Sequence, residues 1–168
     1  DNIIEVLAGA RYINHVVIGL DRADESQFAH AREFFSRLPQ QHSILWNDGP
    51  RLSAIHERLI EAGLAPTEPG KGRNVWYCIG YTLACQDSDV VALHDCDITT
   101  YSREMLTRLV YPVANPAFSY QFAKGYYPRI ADGKLNGRVT RLLVTPLLKA
   151  LQKTCGQSDY LDYLQAFR

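Results

Sequence analysis

The chain has 168 residues, 46% of them hydrophobic, and 18 Lys and Arg balance 18 Asp and Glu at a formal net charge of zero. That length predicts one domain large enough to bury a core. The neutral balance argues against a generally basic nucleic-acid binder and an acidic disordered tail. Residues 1–100 hold 8 basic and 14 acidic side chains, whereas residues 101–168 hold 10 basic and 4 acidic ones. This split predicts either an anion-binding surface in the second part or merely an uneven spread of surface charge.

Cysteine usage and hydropathy indicate the cellular setting. No C-x-x-C pair and no secretory signal is visible, so we expect reduced thiols in a cytoplasmic protein rather than a disulfide framework or a zinc ribbon. The longest apolar runs, such as 90–93, are far too short to span a bilayer. We expect no membrane insertion and no nucleic-acid partner, and a homodimer is a possible assembly. The four cysteines are Cys78, Cys85, Cys96 and Cys155.

The first part of the chain alternates short apolar runs with helical patterns, which is typical of a sheet covered by helices. Helix-capping side chains and apolar residues at helical spacing mark the helices. In chain order the predicted elements are a strand over 15–20, a helix capped by Asp24 or Ser26, a strand over 43–46 and a helix over 52–63.

The second part continues the same alternation. The predicted elements are a loop over 65–72, a helix over 74–84, a strand over 89–95, a helix beginning near Ser102, a strand near 118–123 and a helical stretch over 137–151. Pro146 is expected to kink or divide the last stretch. No internal repeat or second domain boundary is visible, so the prediction is a single α/β domain over 1–168, a mostly parallel sheet with flanking helices.

Two acidic side chains, Asp95 and Asp97, follow the apolar run 90–93. Ligands of open α/β sheets bind at the C-terminal ends of strands. In extended chain, Asp95 and Asp97 point to one face, and His94 and Cys96 to the other. Two carboxylates on one face are hard oxygen ligands, which predicts a site for Mg²⁺ or Mn²⁺. Alternatively, both are loop acids that cap the following helix.

A basic, glycine-containing loop over 69–74, Pro-Gly-Lys-Gly-Arg-Asn, precedes this segment and runs into a helix. Glycine backbone and the Lys71 ammonium group can approach phosphate oxygens there. The loop lacks the full P-loop pattern, so a P-loop is not supported. The alternative is an ordinary surface loop.

A second candidate anion site begins at Gly137, which opens the last predicted helix. The first-turn amides of that helix would point at an anion, and the Arg138 guanidinium adds donors suited to phosphate. The alternative is the first turn of an ordinary surface helix.

Two metal-dependent chemistries fit the acidic segment. Residues 95–99, Asp-Cys-Asp-Ile-Thr, resemble the D-x-D-x-T signature of haloacid-dehalogenase-type phosphatases, in which the first Asp is the nucleophile. That family normally places the motif on its first strand and needs a later acidic pair. Here 94 residues precede the motif and no adjacent acidic pair follows it. The phosphatase is therefore the second choice.

The combined motifs resemble a different family. Residues 70–72, Gly-Lys-Gly, followed by a helix, a strand and 95–97, Asp-Cys-Asp, look like the nucleotide-sugar core of the GT-A glycosyltransferases. Residues 137–148, which open with Gly-Arg-Val-Thr and end with Pro-Leu-Leu, resemble the corresponding segment of the glucosyl-3-phosphoglycerate synthases. Residues 124–129 resemble the K-x-x-Y-x-R stretch of that family. The resemblance covers roughly 14–151.

The resemblance implies a GT-A type fold and a role for each motif. The implied roles are metal binding by Asp95 and Asp97, contact with the donor diphosphate by Lys71, contact with the nucleoside by Asp21, and acceptor binding by Gly137, Arg138 and Thr140. It further implies retaining transfer of glucose from UDP-glucose to 3-phosphoglycerate, which gives glucosyl-3-phosphoglycerate. No residue is an obvious nucleophile or general base.

The resemblance also departs from the family pattern at both ends. The family begins with a further strand, and its members extend beyond residue 168 into a region that supplies a metal-ligating His. We therefore expect a catalytic core that lacks these parts, and a non-catalytic nucleotide-sugar-binding module is an open alternative.

Overall fold

The computed structural model describes residues 2–66, 68–98, 100–125, 130–131, 134–135, 140–156, 158 and 161. It contains helices and a small parallel sheet, which confirms the predicted α/β class. The elements are α1 Asn2–Ala8, β1 His15–Leu20, α2 Glu25–Phe35, β2 Gln41–Trp46, α3 Pro50–Glu61, α4 Lys71–Cys85, α5 Arg103–Ala114, β3 Ile130–Ala131, β4 Lys134–Leu135, a π-helical turn Thr140–Val144 and α6 Thr145–Cys155. The chain separates into two compact units, 1–110 and 111–168.

The first unit is built on β1 and β2, which pair in parallel from His15 opposite Gln41 to Leu20 opposite Trp46. The helix that connects them, α2, begins with a capping box. The Asp24 carboxylate accepts the backbone N–H of Gln27 at 2.8 Å, and the Gln27 side chain accepts the N–H of Asp24 at 2.9 Å. These bonds satisfy two amides that an α-helix leaves free at its start. The first strand and its capped helix are as predicted.

Two groups of apolar side chains pack helices of this unit against the rest of it. The Phe28 ring of α2 stacks on the Trp46 ring of β2 at 4.7 Å between centroids, and the Trp46 indole N–H donates to the Ala23 carbonyl at 2.7 Å. A separate core of Ala10, Tyr101 and Leu106 joins the segment after α1 to α5 and to the segment that precedes α5. Burial of these side chains drives the packing because apolar surface leaves water.

Helix α4 approaches β1 closely at Gly19. A Cβ placed on Gly19 would overlap the Asn74 side-chain amide. The Asn74 Nδ2 group donates to the Gly19 carbonyl at 3.1 Å. Glycine at this strand position therefore permits a backbone contact that any larger residue would block.

The strand predicted over 89–95 is wrong, since these residues, all of them described, have no strand pairing. Val91 and Leu93 are 50% and 53% exposed. An apolar run forms a strand only where a neighbouring strand accepts and donates its backbone hydrogen bonds. The described residues offer 89–95 no such neighbour. The strand predicted near 118–123 is absent for the same reason.

The second unit contains a short antiparallel pair, β3 with β4, in which Ile130 lies opposite Leu135. The π-helical turn then gives way to α6, with Pro146 in the first turn of that helix. Proline fits there because the first-turn amides need no intrahelical acceptor. The predicted division near Pro146 is confirmed. Within the described residues, no helix has the length and apolar character required to cross a bilayer.

We predict that Gly19→Ala lowers the free energy of unfolding by about 1 to 3 kcal/mol, because the added methyl group forces Asn74 away from β1. Denaturant titration followed by circular dichroism measures this change. Gly80→Ala is the matched control, since a Cβ at this exposed α4 position meets no atom within 4 Å. It should instead stabilise the helix by roughly 0.5 to 1 kcal/mol. Equal effects of the two substitutions would contradict the close-contact argument.

Candidate functional site

Side chains from three elements meet at the carboxyl ends of β1 and β2. Asp21 follows β1, Asn47 follows β2, and Arg73 lies in the first turn of α4. The Asp21 Oδ1 atom accepts the Arg73 Nη2 group at 2.7 Å and the Asn47 Nδ2 group at 3.0 Å. We call Asp21, Asn47, Asp48, Arg73 and Asn74 the carboxyl-edge cluster. Its position is the edge at which open parallel sheets bind ligands.

Hydrogen bonds fix the two asparagines of this cluster. Asn47 is buried, its backbone N–H donates to Leu20 O at 2.9 Å, and its side chain also donates to Asn74 Oδ1 at 3.1 Å. The buried atoms Asn47 Oδ1 and Arg73 Nε have no hydrogen-bond partner among the described residues. Unpartnered buried polar atoms cost free energy, which makes these two atoms candidates for contact with a bound ligand.

Electrostatics within the cluster favour the charged forms of Asp21 and Arg73. Burial by itself would raise the pKa of Asp21. The hydrogen bonds from Arg73 and Asn47, with the charges of Arg73 and Arg22, outweigh burial and hold that pKa below its usual value. In turn, the hydrogen bond to Asp21 raises the pKa of Arg73. Asp48 Oδ1 lies 3.6 Å from Arg73 Nη2 and adds a second negative neighbour.

The start of α4 lies at the same edge. Gly70 precedes the helix with φ 130°, a backbone conformation suited to glycine, and no side chain caps the first turn. Gly72 borders open space, since a Cβ there would meet no atom within 4 Å. Uncapped amides at a helix start favour an anion. The Lys71 Nζ group, which is exposed, adds positive charge and contacts Asp95 Oδ1 at 2.5 Å.

Segment 94–97 carries two carboxylates, those of Asp95 and Asp97, which are hard oxygen ligands. Asp95 is partly exposed, and Asp97 is exposed in the turn that follows it. Desolvation, with the charges of Asp95 and Asp97, raises the pKa of the Cys96 thiol, which keeps it protonated at neutral pH. Burial lowers the pKa of His94, whose ring packs edge-on against Tyr101 at 5.1 Å. Residues 96–97 form a turn rather than the end of a strand, so the predicted alternation that placed Asp95 and Asp97 on one face does not hold. Each carboxylate is still a hard oxygen ligand of the kind that Mg²⁺ or Mn²⁺ takes.

The structure brings some of the site residues predicted from the sequence into contact, and others lie outside the described residues. It places Lys71 against Asp95, and it places Asp21 against Arg73 rather than in an open groove. Gly137 and Arg138 lie outside the described residues. Thr140 begins the π-helical turn, and its side chain is also outside the described part.

Sequence reasoning missed Asn47, Asp48, Arg73 and Asn74 as members of the site. It treated 47–50 as a turn and 73–74 as the end of a basic loop. The available signal was positional: residues that follow two parallel strands meet at one edge of the sheet. Applied to both predicted strands, this rule would have paired Asp21 with Asn47.

The fold and the cluster define an α/β protein with a candidate anion site at the carboxyl edge of a parallel sheet. Over 166 residues the chain is 45% identical to a glucosyl-3-phosphoglycerate synthase from Persephonella marina, covering 99% of this chain and 41% of the relative. Over 169 residues it is 38% identical to a protein of the same name from Methanococcoides burtonii, with the same two coverages. The predicted resemblance to glucosyl-3-phosphoglycerate synthases is confirmed, and the chain spans about two-fifths of the length of these relatives. No family model matches the chain, and no solved structure matches it.

We predict that Asp21 makes folding stability depend on acid pH. A carboxyl group whose pKa is lowered by folding contributes stability above its ordinary pKa, and that contribution is lost as pH falls through the lowered pKa. Asp21→Asn removes the titrating group, and Arg73→Gln removes the partner that lowers its pKa. Both variants should therefore lose less stability than the native protein on acidification. Chemical denaturation at a series of acid pH values tests this, and an unchanged pH slope in both variants would contradict it.

Proposed function

We propose that this protein is a retaining, metal-dependent glycosyltransferase of the GT-A type that acts as a glucosyl-3-phosphoglycerate synthase. It would move glucose from UDP-glucose to 3-phosphoglycerate and give glucosyl-3-phosphoglycerate. The observation that carries the proposal is the 45% and 38% identity, across 99% of the chain, to two proteins of that name. The carboxyl-edge cluster and the basic start of α4 supply a physical reason for it.

The donor diphosphate would bind at the start of α4. The uncapped amides after Gly70 and the ammonium of Lys71 suit phosphate oxygens, and Gly72 leaves room for them. Lys71 would neutralise negative charge that grows on the departing diphosphate as the bond from the sugar to oxygen breaks. Asp21 would serve the nucleoside directly or by holding Arg73 at the edge of the site.

Asp95 and Asp97 would hold Mg²⁺ or Mn²⁺, and their carboxylate oxygens fit such a hard cation. The bound cation would supply positive charge to the two donor phosphates. Lys71 contacts Asp95 Oδ1 at 2.5 Å, so its ammonium lies beside a carboxylate that would hold the cation and near the proposed position of the donor phosphates.

The acceptor would bind to Gly137, Arg138 and Thr140. A guanidinium group forms paired hydrogen bonds with phosphate or carboxylate, and 3-phosphoglycerate carries both groups. No described side chain is assigned as a nucleophile or general base. Retention of configuration would then require attack by the acceptor hydroxyl on the face from which the diphosphate leaves.

We predict that Asp97→Asn abolishes Mn²⁺-dependent formation of glucosyl-3-phosphoglycerate while the protein stays folded, because an amide cannot replace the charged ligand. Product formation is measured with UDP-glucose and 3-phosphoglycerate. Asp89→Asn is the matched control: it replaces an exposed acid that precedes the apolar run 90–93, and it should retain turnover. Undiminished turnover in Asp97→Asn would refute the metal assignment. Hydrolysis of a generic phosphate monoester without sugar transfer would instead favour the phosphatase.

We predict that Lys71→Ala lowers kcat/KM for the nucleotide-sugar donor by roughly 10- to 100-fold, the loss expected for one hydrogen bond to a charged group. Initial-rate kinetics with each substrate varied in turn should show little change in the KM for the acceptor. Lys149→Ala on α6, also at an exposed position, is the matched control and should behave as the native protein. Equal losses for donor and acceptor would argue against a contact with the diphosphate.

A further inference from the structure

We propose a second metal site, formed by His15, Cys85 and Asp87 at the amino end of β1, that binds Zn²⁺. These three residues each offer one ligand atom, and the three atoms all lie within 4.8 Å of one another. Within the part of the chain that the structure describes, this is the one group of three or more His, Cys, Asp or Glu side chains so arranged. An imidazole nitrogen, a thiolate and a carboxylate are ligands that Zn²⁺ takes in proteins.

The fold brings the three residues together from distant parts of the sequence. His15 is the first residue of β1, and Cys85 is the last residue of α4. Gln86 then adopts a left-handed backbone conformation with φ 52°, and its N–H caps α4 by donating to Thr82 O. This conformation is uncommon for a residue other than glycine. The resulting turn brings the Asp87 side chain back to His15.

The His15 ring is held with one nitrogen facing the proposed ligands. Its side chain is 3% exposed, and its Nε2 atom lies 3.0 Å from Ser43 Oγ, which in turn lies 2.9 Å from the Tyr81 hydroxyl. Its Nδ1 atom lies 2.9 Å from Asp87 Oδ2. When a metal binds Nδ1, the imidazole proton would lie on Nε2 and be donated to Ser43 Oγ, which leaves the Nδ1 lone pair for the metal. Ligating histidines in metal sites are oriented in this way by a second hydrogen bond.

Asp87 is also held in place. Asn14 Nδ2 donates to the Asp87 carbonyl at 2.6 Å, and Ser88 Oγ donates to Asp87 Oδ1 at 2.9 Å. The Asp87 side chain is 31% exposed, which gives a metal ion a path from solvent and leaves room for water as a fourth ligand. Hydrogen bonds from His15 and then Ser88 hold the pKa of Asp87 below its usual value, so the carboxylate is charged at neutral pH.

The charges and protons involved in Zn²⁺ binding to His15, Cys85 and Asp87 can be accounted for. The Cys85 thiol loses one proton to solvent, and Asp87 is already ionised. Without metal, His15 Nδ1–H donates to Asp87; when His15 binds the metal as the neutral imidazole, that proton is carried on Nε2 instead, where Ser43 Oγ accepts it. The thiolate and the carboxylate then offset the two positive charges of Zn²⁺. A neutral site of this kind costs less to desolvate than an isolated charge. The ion would replace the direct hydrogen bond between His15 and Asp87 and tie the end of α4 to the start of β1.

Titration of the purified protein with Co²⁺, a spectroscopic substitute for Zn²⁺, tests the proposal. We expect one equivalent to give a thiolate-to-cobalt absorption band that Zn²⁺ abolishes by displacement. Cys85→Ser should lose this band. Cys155→Ser is the matched control and should keep the band, because Cys155 is exposed and is not one of the three proposed ligands. Absence of the band in the native protein, or its persistence in Cys85→Ser, would overturn the site.

A second measurement needs no variant. At a Zn²⁺ concentration 100 times the dissociation constant, mass action predicts that alkylation of Cys85 slows about 100-fold. Mass spectrometry of the peptides measures this rate, and the exposed Cys155 is the internal control whose rate should not change. Alkylation of Cys85 at the same rate with and without Zn²⁺ would overturn the proposal.

Discussion

The ion pair between Asp21 and Arg73 organises the first unit, because it links the end of β1 to the start of α4 where both side chains are largely shielded from water. Arg73 is 15% exposed and Asp21 13%. A shielded charge that lost its partner would cost several kcal/mol, so each side chain requires the other. Asn47 joins the pair from the end of β2. One charged contact thus sets three chain segments at the carboxyl edge of the sheet.

This constraint determines what the edge presents to solvent. With Arg73 turned inward to Asp21, the first turn of α4 is anchored on its inner side, and Lys71 is left on the outer side, 72% exposed. Gly70 and Gly72 add no side chains that would cover the amides of this turn. The inner cation therefore joins α4 to β1, whereas the outer cation lies on the solvent side of the turn, paired with Asp95. Two basic residues only two positions apart acquire different roles because the helix turns them to different sides.

Local signals carried most of what could be predicted from the sequence. The apolar run 15–20 and the capping residue Asp24 act over a few neighbouring residues, and both predictions were confirmed. The run 89–95 failed because strand formation depends on a hydrogen-bonded neighbour elsewhere in the chain, which an apolar pattern does not report. The carboxyl-edge cluster also depends on long-range contacts, such as the one between Asp21 and Arg73, 52 positions apart.

A match in length explains how α4 stays in register with β1. From His15 to Asp21 the strand rises about 20 Å, and from Arg73 to Cys85 the helix rises about 18 Å. Because the helix runs back along the strand, each end of this pair has a polar contact: Asp21 with Arg73 at one end, and Asp87, which follows α4, with His15 at the other. Sliding the helix by one turn, about 5.4 Å, would break both contacts together. The amino end of β1 thereby helps to fix the first turn of α4 at the opposite edge, where Lys71 and the glycines lie.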